Sequence, residues 1–247
     1  VSVLLEFIFA IGVITAVLGT LWKLMQSNVK GMLACSTMGQ MGFMFVQCGL
    51  GLFPAAIAHL CWHSLFKAYL FLASNSAAQE KRLDLSYPPT KLRFCLAILC
   101  GLVASYCFNK IGYRPWFVTD TRLFITVFVL LAGCQMALPI LNIHPVKSFP
   151  LALISTSIGG ALYGLSVYSI ESLIEPLRVM QPQPLNLFHV IAIALFIFLW
   201  LTLLFINRTS LDQSAPRWYL KFYVRSINYS QPNQATQTTH RNSYTYL

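Results

Sequence analysis

The sequence predicts an all-α integral membrane protein, and three observations predict it. Hydrophobic residues fill 57% of the 247 positions and charged residues only 10%, with a mean hydropathy of +0.64, values foreign to water-soluble domains. Apolar stretches recur at the length of about 17 to 25 residues that a helix needs to cross hydrocarbon. They are continuous rather than alternating with period two, which selects helices over a β-barrel, because lipid admits only elements that satisfy their own backbone hydrogen bonds.

The spans fall near residues 3–24, 32–50, 52–75, 94–112, 122–142, 148–170 and 187–206, about seven helices in a transmembrane domain of residues 1–206. The first, VSVLLEFIFAIGVITAVLG, lacks the charged leader and cleavage site of a removable signal peptide. The fourth, RFCLAILCGLVASYCFNKIGY, is short and ends in polar residues; without it everything downstream would invert. In the sixth, Thr156, Gly160 and Gly164 recur every four residues, a small-residue face that permits close helix contacts. Residues 207–247 form a tail: APRWYLKFYVRSINY mixes aromatic and basic residues as an interfacial amphipathic segment does, and SQPNQATQTTHRNSYTYL has too few aliphatic residues to build a core.

Seventeen Lys and Arg stand against seven acids, a formal charge of +10. Most of them lie between the spans rather than interleaved with aromatics on one face, so the excess reads as membrane topology and not as nucleic-acid binding. With seven spans, twelve fall on one side and four on the other, with Lys67 inside a span. The richer side is expected to be cytoplasmic, with the N-terminus outside and the C-terminus inside a bacterial inner membrane. The sequons at Asn207 and Asn228 would then face the cytoplasm and stay unglycosylated. Seven cysteines form no CxxC pair and mostly lie in apolar runs, where a thiol behaves as a small hydrophobe.

The third span carries His59, His63 and Lys67 at intervals of four residues. On an α-helix this spacing makes one slowly drifting stripe about 12 Å long. An ionisable group in hydrocarbon costs several kcal/mol, so it faces the protein interior or a hydrated path. Three readings compete. Each histidine could simply bond a neighbouring helix while Lys67 snorkels to the headgroups. Two histidines four apart have ligand spacing, but no acid follows on this helix, Cys61 points off the stripe, and an ammonium one turn away would repel a metal. A proton relay fits what is present, because histidine titrates near neutrality, a lysine out of water can exchange its proton, and water can bridge the intervals. What the stripe lacks is an acid partner; Glu6, near the outer end of the first span, is the acid within the spans, apart from Glu171 at a border.

The run GVITAVLGTLWKLMQSNVKGMLACSTMGQMGFMFVQCGLGLFPAAIAHLCWHSLFKAYLFLASNS resembles the antiporter-like, proton-conducting membrane subunits, with their DxKRxLAxST and HLxxHAxFKA elements. That family holds the NuoL-type subunits of respiratory complex I, the large subunits of Mrp sodium/proton antiporters and the DabB subunits of inorganic-carbon transporters. The resemblance implies proton-pathway roles for Lys30, His59, His63 and Lys67; the residues themselves lead us to expect no cofactor and no metal in this chain. Asn28 replaces the family's usual Asp and Gly31 its Arg, which weakens the acid–lysine pairing near Lys30. Members fold as two inverted five-helix repeats. The match falls in the second, so the resemblance implies a C-terminal half, with a separate chain or a longer parent supplying the first.

Complex I and Mrp subunits carry a GFxSKD-like element roughly 55 residues after the HAxFKA lysine, where this chain reads DTRLFITVFVL without a buried lysine or acid. That departure and the short C-terminal region look more like the DabB branch. The implied partner is then a DabA-like zinc protein, and the implied function is proton movement that energises carbon dioxide and bicarbonate uptake, the chain itself not being an enzyme. Two alternatives stay open: an NADH dehydrogenase subunit 5-like or Mrp-type cation/proton antiporter subunit, and a non-conducting structural half-transporter.

Overall fold

A computed structural model of the chain describes residues 2–26, 29–73, 88–112, 120–142, 144–177, 182–205 and 217–230. Its helices are α1 (Ser2–Met25), α2 (Val29–Gly49), α3 (Phe53–Ala73), α4 (Lys91–Ile111), α5 (Arg122–Leu141), α6 (Phe149–Ile174), α7 (Leu187–Phe205) and α8 (Arg217–Ser230), with a 3-10 turn at Glu175–Leu177. Among the described residues there is no strand, only an isolated bridge between Asp120 and Pro184. Residues 207–216 and 231–247 of the predicted tail lie outside the described residues, as does Asn28.

Six helices, α1 and α3 to α7, are long and apolar enough to cross a membrane, and the chain is a multi-pass membrane protein. The doubtful fourth span is among them: α4 runs a full 21 residues. The predicted span at 32–50 is the exception. α2 is as long, but Lys30, Ser36, Thr37, Gln40, Gln47 and four glycines dilute its apolar character. Its place in the bundle accounts for that composition. A Cβ on Gly12 would come within 2.6 Å of the Val46 nitrogen, and one on Gly49 within 2.6 Å of the Phe9 nitrogen. Gly19 and Gly39 press together in the same seam. Glycine lets two backbones touch, which buries one face of α2 against α1.

Gly51 makes the turn into α3. Its φ of 74° lies in the left-handed region, where glycine pays no Cβ penalty. Leu52 N–H donates to the Gln47 carbonyl and Gly51 N–H to that of Cys48, each at 3.0 Å, which closes α2 with a Schellman motif. α3 therefore returns antiparallel against α2. Contacts elsewhere alternate likewise: Gly101 meets Cys134 across an antiparallel α4–α5 pair, and Gly160 meets Ala104 and Gly164 meets Phe108 across a parallel α4–α6 pair. α1, α3, α5 and α7 thus begin on one face, here the N-terminal face, and α2, α4 and α6 on the opposite one.

The small-residue face of α6 is packing within the chain. Thr156, Gly160 and Gly164 are buried, and the two glycines lie against the α4 backbone. α6 also continues past the predicted end at 170, so Glu171 sits inside the helix rather than at its border. The core divides in two. One cluster, with Phe9, Val46, Leu50, Phe108, Phe124 and Val167, fills the half near the N-terminal face; another, with Cys100, Leu138, Leu141 and Leu204, fills the other half. Outward, Leu72 is 84% exposed and Leu173 76%, apolar surface that fits hydrocarbon and not water. All seven cysteines are free thiols.

Candidate functional site

α3 presents its ionisable stripe to α2. The opposite side of the helix, with Leu65, Phe66, Tyr69 and Leu72, is exposed, and Cys61 is exposed away from the stripe. Lys67 is only 7% exposed. Its ammonium donates to the backbone carbonyl of Leu33 at 3.1 Å, and the Thr37 hydroxyl donates to the same oxygen at 3.0 Å. One helical carbonyl thus serves two side-chain donors. No acidic side chain forms a salt bridge with Lys67 among the described residues, so the polar environment of this cation comes from backbone and not from a counter-ion.

Two turns along, His59 Nε2 and Gln40 Oε1 lie 3.0 Å apart. The ring of His59 leans on Phe43, centroids 5.4 Å apart, and stands 5.9 Å from that of His63. His63 Nε2 is buried and has no hydrogen-bond partner among the described residues. A buried polar atom normally finds a partner in protein or ordered water, so this nitrogen is the chemically uncommitted member of the stripe. The arrangement offers three proton-exchanging groups in line, fixed at both ends and open in the middle.

The structure brings His59, His63 and Lys67 together as predicted. Lys30 is not in line with them. It is exposed in the first turn of α2, one turn from Leu33, and its neighbour Asn28 lies outside the described residues. Gln40 and Thr37 are site residues that reading α3 alone misses. They fall at i+7 and i+4 from Leu33 on α2, and that spacing of polar groups in an otherwise apolar helix was the available signal.

The stripe ends at an aromatic wall. Phe43 contacts Phe128 at 4.5 Å between centroids, Phe124 stacks on Phe128 at 4.7 Å, and Phe196 closes on Phe128 at 5.1 Å. The segment DTRLFITVFVL therefore delivers phenylalanines to the bundle centre. Its charged residues stay near the surface, where Arg122 pairs with Asp120 at 3.8 Å. A groove of about 250 Å3 between α2 and α3 is lined by residues such as Met41, Met44, Phe45 and Leu60 and offers no polar side chain.

Residues 2–148, more than half of the chain, match the family described as NADH:quinone oxidoreductase/Mrp antiporter, transmembrane. The "Probable inorganic carbon transporter subunit DabB1" of Halothiobacillus neapolitanus is 49% identical over 78 residues, 32% of this chain and 14% of that protein. The chloroplastic NAD(P)H-quinone oxidoreductase subunit 5 of Coffea arabica is 32% identical over 155 residues, 55% of this chain and 21% of that protein. That of Citrus sinensis is 28% identical over 218 residues, 76% of this chain and 28% of that protein. The chain thus spans 14% to 28% of the length of these relatives. No solved structure matches it.

Proposed function

The chain belongs to the NADH:quinone oxidoreductase/Mrp antiporter transmembrane family, and on that premise we propose that it is a proton-translocating subunit of a larger membrane complex. The observation that carries this reading is the buried stripe itself: Lys67 held on the Leu33 carbonyl, His59 on Gln40, and His63 between them with an uncommitted ring nitrogen. A buried ammonium that has no acid partner among the described residues is costly, and a chain retains it where it works. Protons pass between Lys67 and His59 through His63, with water bridging at His63 Nε2. Lys30, at the surface one turn from the Leu33 carbonyl, is the exchange point with solvent on the opposite face. That face is the cytoplasmic one in this reading, supported by the excess of Lys and Arg on it.

In the preferred form of the reading, proton movement energises inorganic-carbon uptake with a DabA-like zinc partner, supported by the 49% identity to the DabB1 protein over 78 residues. A second form, a subunit of a quinone-linked oxidoreductase, is favoured by a different observation: the alignment to the Citrus sinensis protein extends over 76% of the chain. Purification of the complex through a tag on this chain separates them. A zinc-containing partner supports the first, and accompanying oxidoreductase subunits support the second. For either, the complex is reconstituted in vesicles containing a pH-sensitive dye. Lys67→Met is expected to lower proton flux at least about tenfold, the scale of losing one positioned proton-transfer group. Undiminished flux refutes the relay and leaves the structural half-transporter.

A further inference from the structure

The polar line through α3 stops at His59, yet ionisable groups reappear beyond the aromatic wall. Phe43 touches both His59 and Phe124, Phe124 meets Phe9 edge-on at 6.1 Å, and Phe9 meets the ring of His189 edge-on at 4.8 Å. His189 is 2% exposed and stands at the third position of α7. Its Nδ1 accepts from the Asn186 backbone N–H at 3.2 Å, while the backbone N–H of His189 donates to the Asn186 carbonyl at 3.0 Å. Asn186 Nδ2 donates to Glu6 Oε1 on α1 at 3.5 Å. Glu6, Gln183, Asn186 and His189 line one cavity of about 340 Å3 on the N-terminal face.

The bond from the Asn186 N–H to the His189 ring is one half of a capping box, in which the third position normally holds Glu or Gln; the Asn186 Oδ1 accepts from the Leu187 N–H at 2.7 Å rather than from His189. Histidine differs from both because it titrates near neutrality. A backbone N–H can donate only to an unprotonated ring nitrogen, so neutral His189 keeps its proton on Nε2, and a second proton must enter at Nδ1. That step displaces the Asn186 N–H from the ring and creates a cation beside Glu6, the charged group that shares its cavity. The other described charged residues at this end are Lys110 at the end of α4, Glu171 and Glu175 at the end of α6, and Asp120 and Arg122 at the start of α5, the last two paired with each other.

We propose that Glu6 and His189 form a second proton-exchange site, which loads and unloads protons at the N-terminal face of the bundle. The proposal rests on the relay reading above and supplies the acid-bearing terminus that the α3 stripe lacks. A proton from water in the cavity binds Nδ1 of His189, is stabilised by the Glu6 carboxylate, and restores the Asn186 cap when it leaves.

The test compares wild type, Lys67→Met, Glu6→Gln, His189→Ala and His189→Gln in vesicles reconstituted with the tag-purified complex and an enclosed pH dye. His189→Gln keeps an acceptor for the Asn186 N–H but cannot titrate, so it separates proton exchange from capping. The expected result is that Glu6→Gln and His189→Gln each lower flux about tenfold, as Lys67→Met does, while His189→Gln keeps the thermal stability of wild type and His189→Ala loses some of it. If Lys67→Met blocks flux but His189→Gln conducts like wild type, His189 is only a cap and the proposal is overturned with the relay intact. If Lys67→Met itself conducts normally, the relay reading fails and this site falls with it.

Discussion

The seam between α4 and α6 and the seam between α2 and α3 are built from the same helical geometry and use polar groups in opposite ways. Along α4–α6 the hydroxyls turn inward on their own helix: Thr156 donates to Ala152 and Ser157 to Leu153. Gly160 and Gly164 then leave the backbones free to touch. Along α2–α3 the polar groups reach across: Lys67 to the Leu33 carbonyl, His59 to Gln40, with His63 Nε2 unpaired among the described residues. A seam whose polar groups are satisfied locally holds helices together. A seam whose polar groups reach across to one another, with one ring nitrogen lacking a partner among the described residues, is the one proposed to pass a proton.

This contrast can be broken from either side. The largest effect is expected from Gly160→Leu, since even a Cβ at that position collides with the Ala104 backbone. Overpacking a tight site costs about 1–3 kcal/mol, and a whole Leu exceeds what the α4 backbone can yield. Thermal unfolding in detergent should show a protein that folds poorly, whereas any surviving folded fraction should conduct at the wild-type rate per molecule. Lys67→Met is the mirror case, with flux lost at least about tenfold and thermal stability retained, because the methionine fills the same space without a charge to bury.

Smaller effects sharpen the comparison. Gln40→Leu removes the partner of His59 and should lower flux about three- to tenfold, since a histidine left without its orienting bond still titrates. Thr37→Val leaves Lys67 as the remaining side-chain donor on the Leu33 carbonyl, and the expected change in flux is about twofold. Ser166→Ala removes only the acceptor of the exposed Trp62 indole on the lipid side of α3, so flux and stability should both stay within error of wild type. A flux loss there as large as for Gln40→Leu would show that any disturbance of α3, not the stripe, sets the rate.

The legible part of the fold was the part governed by composition along one helix at a time. Continuous apolar length placed α1 and α3 to α7, and spacing by four put His59, His63 and Lys67 on one face. α2 was harder to interpret. Its glycines and glutamines lower its hydropathy, and only the backbone contacts of Gly12 and Gly19 of α1 and Gly49 of α2 show that one face of α2 is pressed against α1. The partners Gln40 and Thr37 were hidden for the same reason. A polar residue on one helix acquires meaning only when the facing helix is in register.

By itself, therefore, the sequence determined the solvent this protein folds in, the places of the six apolar helices α1 and α3 to α7, and the face of α3 that carries ionisable groups, since each depends on residues near one another along the chain. The tertiary structure decided the rest. It gave Lys67 a backbone carbonyl instead of an acid, left Lys30 at the surface, ended the stripe at Phe43, and brought Glu6 of α1 to the same cavity as His189 of α7. These outcomes depend on how distant residues are juxtaposed, Glu6 and Asn186 being 180 positions apart, and it is helix packing, not local pattern, that sets which of them meet.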